Sequence, residues 1–397
     1  MIFKNSNYSQ QTIPALLGLG IGQIMLLMLV ISGGGLVGCQ SPQPSEPTTS
    51  EDRPPSEEFE NTLTLEDVVL EQVDEEGQLL WQVEAKQASY SQDQKIATVT
   101  EPAGELFVKG ELRYKIEAKQ GELHQDGQRL FLRDDIVAVD LENGIVLRGQ
   151  ELEWIVNEQI LIVRDNVTGE HEKMQAIATE VQLFNNDDKR VEFWNQVVIN
   201  FKEVGVQLRT DHVIWRWEEE RFISERRVEI DRLENMVVID RAVAKSAELD
   251  LTTAIATFKD NVQIALSNPP LQLSSAQLQW NYQEQTLNSP GPITIIDRQE
   301  QLTFSGDQGW GDLDSQIFNL IGNVLGVAEN RQAQINADLL TWYVPQQAFK
   351  AEGDVIYRQV DPQMTLRGEV ATGQFSTQTV VVTGGNQGDR VVTEIFP

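Results

Sequence analysis

The sequence predicts an all-β chain: an elongated antiparallel β-jellyroll, a half-open twisted β-sandwich, built from repeats of about 32 residues. Three observations predict it. First, Trp81, Val83 and Ala85 alternate with Gln82, Glu84 and Lys86. That period of two describes a strand with one buried and one wet face. Second, the pattern returns at Tyr114–Ala118, Ile145–Gly149, Val206–Thr210 and Leu271–Ser275. Each time, a large apolar residue follows. The landmarks Tyr90, Leu123, Trp154, Leu183, Trp215, Leu249, Trp280, Leu313, Trp342 and Phe375 stand 29 to 34 residues apart. Third, no stretch after Phe59 carries a long apolar stripe at helical spacing. The nearest is 315–327, which Gly322 and Gly326 interrupt, and it reads as a loop or loose strand.

Composition narrows the function classes. The chain has 397 residues with 61 Asp and Glu against 31 Lys and Arg, a net charge of -30. A field of that sign repels phosphate backbones and argues against nucleic acid as a partner. A hydrophobic content of 40% is enough for a core, and interspersed charge suits a sheet with one wet face. Cys39 is the only cysteine, so an internal disulfide and a multi-cysteine metal site are both excluded.

In chain order, residues 1–38 read as a lipoprotein signal peptide or membrane anchor. Lys4 precedes an apolar run from Ile13 to Ile31, and Leu36-Val37-Gly38-Cys39 looks like a bacterial lipobox. That resemblance implies cleavage before Cys39 and its lipidation. The alternative is an uncleaved transmembrane anchor, since about 20 apolar residues span a bilayer. Residues 39–58 hold five prolines among scattered acids and read as a disordered tether. Residues 59–200 and 201–397 are both β. In the first, Leu63, Leu65, Val68 and Leu70 open a strand, and Asp74-Glu75-Glu76-Gly77 turns it. Leu79–Ala85 follows, then a short strand at Ile96–Val99, then Arg129–Arg133 after the turn Gln125-Asp126-Gly127. Ile160–Val163 and Val191–Trp194 supply second strands of later repeats, and Asn185–Asp188 and Glu218–Glu220 supply turns.

The series Leu70-Glu71-Gln72-Val73-Asp74, Gly77, Trp81–Ala85, Tyr90, Glu101-Pro102 and Tyr114–Ala118, behind an anchor and a polar tether, resembles the LptC family. The match is best over roughly residues 60–200. The resemblance implies an open β-jellyroll whose interior holds lipopolysaccharide acyl chains. It implies docking to an inner-membrane ABC transporter, and edge-strand pairing with a periplasmic bridge protein of similar fold. It places the protein on the periplasmic side of the plasma membrane. Two features depart from the family: the chain is about twice the usual length, and it has a lipobox where a transmembrane helix is usual. The extra repeats from about Lys202 onward would lengthen the groove and replace part of the bridge.

No catalytic constellation, cofactor motif or metal-ligand spacing emerges. His124, His171 and His212 read as single surface histidines. Gly306-Asp307-Gln308-Gly309-Trp310-Gly311 lacks the lysine and the helix of a phosphate loop. The candidate lipid-binding residues are the inward ladder Trp81, Val83, Tyr114, Ile116, Ile145, Leu147, Trp154, Val206, Leu208, Trp215, Leu271, Leu273 and Trp280. In an open jellyroll these line a trough, and in a closed sandwich they are core. Ala85, Ala118, Gly149, Thr210 and Ser275 recur beside them and would leave room for a chain, or pack under a neighbouring Trp. Thr379–Thr383, β-forming and uncharged, suits strand addition to a partner. The expectation is a non-enzymatic conduit passing lipopolysaccharide from transporter to outer membrane. The alternative is an envelope lipoprotein scaffold that assembles proteins without lipid transfer.

Overall fold

The computed structural model describes residues 63–395 apart from 92–94, 125, 188 and 385–390. The chain divides into two units at Phe59/Glu60. Cys39 and the segments read as anchor and tether, 1–38 and 39–58, lie outside the described residues. Among the described residues there are 28 strands, all paired antiparallel in one sheet, and a single 3-10 turn at Glu329–Arg331. The strand order simply advances, because each strand pairs with a near sequence neighbour across a short turn. The sheet runs past residue 200 without a break: Arg190–Phe201 pairs with Val206–Arg216 along its whole length.

A sheet of this size buries its apolar face by folding on itself, and the fold line is written in bulges. The long strands bend at Arg133/Ile136, Trp194/Val197, Lys259/Val262, Ile321/Val324 and Glu352/Val355. At these corners two successive residues take positive φ: Asp134-Asp135, Asn195-Gln196, Asp260-Asn261, Gly322-Asn323 and Gly353-Asp354. Asp, Asn and Gly bear that conformation at the lowest steric cost, and a bulge sharpens the local twist. Each long strand therefore contributes one end to each half of a sandwich. At other corners the strand is interrupted instead, and two of these, after Ser224 and after Ser289, are tied by hydroxyl pairs. Ser224 there accepts from or donates to Thr210 Oγ1 at 2.9 Å, and Ser289 pairs with Ser275 at 2.8 Å.

Two register lines carry the core. One runs Leu130, Trp154, Leu161, Leu183, Val191, Trp215, Phe222, Leu249, Ala256 and Trp280 in direct cross-strand pairs. The other, across the corners, runs through Val83, Ile116, Leu147, Ile199, Leu208, Ile264, Leu273 and Ile295. All of them belong to one continuous buried cluster. Directly opposed side chains on one face are the unit of sheet stabilisation, and each large one buried contributes about 1.5–3 kcal/mol.

The structure corrects three readings. Of the two readings for residues 315–327, a loop or a loose strand, the loop is wrong and the strand is not loose: Ile317–Ala328 is a full strand, with Gly322 at its bulge. Glycine interrupts a helix but suits a corner. The landmarks Leu313 and Phe375 lie off the register line, whose true members are Gly311 and Gly373. Trp280, Gly311, Trp342 and Gly373 then stand 31 residues apart. Glycine hid the repeat because the apolar group on these positions comes from the partner strand. A Cβ on Gly311 would lie 2.6 Å from the Phe318 ring, and one on Gly373 would lie 2.1 Å from Phe349. Third, the histidines are half-buried against aromatic rings rather than solvated. His212 stacks on Trp194 at 3.8 Å, and His171 meets Trp215 edge-on at 5.1 Å.

Candidate functional site: the apolar interior and its end cavity

The thirteen ladder residues fall on three register lines. Trp154, Trp215 and Trp280 share the first, and Val83, Ile116, Leu147, Leu208 and Leu273 the second. Trp81, Tyr114, Ile145, Val206 and Leu271 lie on a third, at the rim, where the line also holds Asp140 and Asp297. Rim acids close turns: Asp140 accepts from the backbone N–H of Glu142 and Asn143, and Asp297 from those of Gln299 and Glu300. All thirteen are buried, none more than 6% exposed. Along this stretch the inward side chains pack closely: a void of about 10 Å³ lies beside Ile145, Leu147, Met174 and Trp215, and a surface cleft of about 590 Å³ lies at the corner formed by Thr100–Ala103, Glu117–Gln120 and Asp135.

Polar groups in this interior are sparsely satisfied. Tyr114 is wholly buried, edge-on to Trp154 at 5.8 Å, and its hydroxyl meets the Asn185 amide. Burial pushes its ionisation far above the ordinary range. Beside it Arg113 donates to Asp140 at 3.1 Å, and burial raises the Asp140 carboxyl despite that cation. Trp81 Nε1 donates to the Gly127 carbonyl at 3.2 Å. The indole N–H groups of Trp154, Trp215 and Trp280 have no acceptor among the described residues. They recur on one register line, in an apolar surrounding where an unpaired donor costs about 1–3 kcal/mol.

The small recurring residues do not open space. Gly149 sits at a corner, where a Cβ would meet Val163 at 2.6 Å and the Arg164 carbonyl at 2.8 Å. Thr210 and Ser275 hydrogen-bond the two broken corners described above. The pairs Thr210/Ser224 and Ser275/Ser289 have the same 14-residue separation, a signal legible in the sequence once the corner is known.

Open space lies at the other end. A cavity of about 480 Å³ is lined by Leu302, Phe304, Ile335, Phe349, Tyr357 and Phe375, with Arg331, Gln332 and Gln359 at its polar side. Arg331 donates to the Phe375 carbonyl at 2.8 Å and lies 5.4 Å from that ring. The cause is side-chain size at equivalent register. The last pair of Arg190–Phe201 with Val206–Arg216 is Phe201 opposite Val206, both buried. The last pair of Ile317–Ala328 with Ala333–Tyr343 is Ala328 opposite Ala333. Two methyl groups stand where a ring and an isopropyl group stand upstream. The ladder proposed from sequence missed this cavity because its walls come from positions that alternation alone marks as ordinary core.

Two free edges flank the sheet among the described residues. Thr64–Val73 pairs only with Leu79–Tyr90, and Thr379–Thr383 only with Met364–Gln374. Val69 and Val381 on these edges are about half exposed, at 52% and 51%. Unprotected edges are templates for a further strand.

No curated protein matches the chain. Among solved structures, the crystal structure of LptH, the LptA-homologous periplasmic component of the lipopolysaccharide transport device of Pseudomonas aeruginosa, is 15% identical with a TM-score of 0.23. That match covers 40% of this chain and 95% of LptH. Residues 25–199 match the family described as lipopolysaccharide-assembly, LptC-related. That family match spans less than half of the chain, and the same sheet continues beyond it.

Proposed function

We propose that this chain is a non-enzymatic periplasmic lipopolysaccharide-transport protein. It receives lipopolysaccharide from an inner-membrane ABC transporter, shelters the acyl chains between the two halves of its sandwich, and passes them towards the outer membrane. The observation that carries this reading is the apolar interior itself. It runs through one continuous cluster from Trp81 to Phe375 and ends in a cavity walled by aromatic rings. Each methylene buried there gains about 0.8 kcal/mol. The unpaired indole N–H groups of Trp154, Trp215 and Trp280 suit the carbonyl oxygens of acylated sugars. The filled first part parts its sheet halves to admit a chain, whereas the end cavity is already open. The free edges are suited to the transporter at one end and to a bridge protein of similar fold at the other. Cys39, lipidated, would hold the assembly to the membrane. The repeats after residue 200 lengthen the path.

The test is site-specific photocrosslinking in cells at Ile116, Leu147, Leu208 and Phe304, probed for lipopolysaccharide, with the exposed Glu117 and Arg148 as controls. Adducts at the buried sites and none at the controls are expected. A folded, exported protein with no adduct at any buried site would favour the envelope scaffold instead.

A further inference from the structure

Trp310 is the anomaly on the outer surface. It stands 42% exposed on a strand whose neighbours Gly309 and Gly311 are buried. Its place is defined by register. One cross-strand row runs along the outer face of the whole sheet: Ser89, Thr98, Glu122, Phe131, Glu153, Ile162, Gln182, Glu192, and onward to Ile214, Ile223, Glu248 and Thr257. It continues through Gln279, Asn288, Trp310, Asn319, Thr341, Lys350 and Thr372 to Val381.

The chemistry of this row changes along its length. In the first part the polar members are mainly glutamates tied to arginines: Glu122 to Arg133 at 3.1 Å, Glu153 to Arg164 at 3.1 Å, and Glu248 to Arg221 at 2.8 Å. From Thr257 to Thr341 the row holds no charge, in a chain with 61 acids. Amides flank the indole on both sides, and Ile321, 49% exposed, lies diagonal to it. Asn288 donates to Gln279 at 3.3 Å, and Thr341 donates to Asn319 at 2.9 Å. These bonds orient the row and, among the described residues, leave the Asn288 carbonyl oxygen and the Asn319 amide N–H without further hydrogen bonds.

An exposed indole between oriented amides matches one ligand chemistry. A pyranose ring offers an apolar C–H face for stacking, and hydroxyls that both donate and accept, as primary amides do. Strands lie about 4.8 Å apart, close to the length of one sugar unit in an extended glycan, so successive sugars meet successive side chains. The strand Ala348–Gln359 carries both surfaces: Phe349 faces the cavity and Lys350 belongs to the row.

We propose that the row from Gln279 to Thr372, centred on Trp310, is a docking track for the uncharged sugar chain of the glycolipid whose acyl chains enter the interior. This rests on the transport reading above. The acyl part is taken inside and the sugar part is laid along the outside of the same strands.

The test uses the full-length protein and isothermal titration with polysaccharide released from lipopolysaccharide by mild acid, which carries no acyl chain. Binding is expected, weakened tenfold or more by Trp310→Ala and severalfold by Asn319→Ala, and unchanged by Glu122→Gln. Polygalacturonate, an acidic polysaccharide, should bind at least tenfold more weakly. Circular dichroism and melting temperature confirm that each variant is folded. No binding by the wild-type protein, or equal binding by Trp310→Ala, overturns the proposal. So does loss of self-association in Trp310→Ala by sedimentation without any polysaccharide binding, which would make the patch a protein interface. Trp310-dependent polysaccharide binding without acyl crosslinks at Ile116 or Phe304 would keep the track and sink the conduit.

Discussion

Ile145–Arg216 and Leu302–Val380 share one strand plan and differ in what fills it. In the first, Trp154, Trp215, Phe201 and Val206 close the interior to a void of about 10 Å³. In the second, Gly326, Ala328 and Ala333 occupy wall positions and a cavity of about 480 Å³ remains. The difference teaches that backbone register decides where a channel can run, and side-chain volume decides where it stands open. Packed interiors tolerate few voids, so a cavity of this size at one end of a repetitive sheet is a property of its small residues rather than of the fold.

The sharpest way to break the comparison is to empty the filled region. Trp154→Ala removes a side chain with no exposure and should cost about 3–5 kcal/mol, read as a lowered urea midpoint. A cost under about 1 kcal/mol would mean that the first region is as loosely packed as the second. Converse and smaller, Ala333→Val transplants the residue found at the equivalent position upstream. Filling the space should stabilise by about 0.5–2 kcal/mol while reducing lipid adducts at Phe304. Stabilisation with undiminished adducts would show that the cavity is not where the chain lies.

The smallest effect concerns pH. Burial holds the His171 imidazole below its ordinary value of 6.5, with Lys173 and Lys202 adding to the shift. A folded pKa below the unfolded one means that the unfolded chain binds the proton more readily. Stability is therefore full above about pH 6.5 and falls as pH drops through that value towards the lower folded pKa. His171→Gln should flatten the fall in melting temperature between pH 7.5 and 5.5. An unchanged slope would place the titrating group elsewhere.

Much of the fold was legible beforehand, because alternation is local and needs no partner to be seen. Trp81, Val83 and Ala85 announce a face, and Trp154, Trp215 and Trp280 announce a repeat. The corners were written too, in Asp134-Asp135, Asp260-Asn261 and Gly353-Asp354, although such pairs also spell ordinary turns. Gly311 and Gly373 were illegible because a glycine on an apolar line is read as a gap. Only the strand opposite shows that Phe318 and Phe349 cover them.

The sequence alone thus determined the fold class, the alternation that turns Trp81, Val83 and their equivalents inward, and the acidic composition. The first two are set by the order of side-chain polarity along the chain. Tertiary structure decided the rest. Which inward positions are filled, where the cavity lies, and which outer residues form one row across many strands all depend on register and volume between residues about 30 apart. Those relations exist only once the strands are paired.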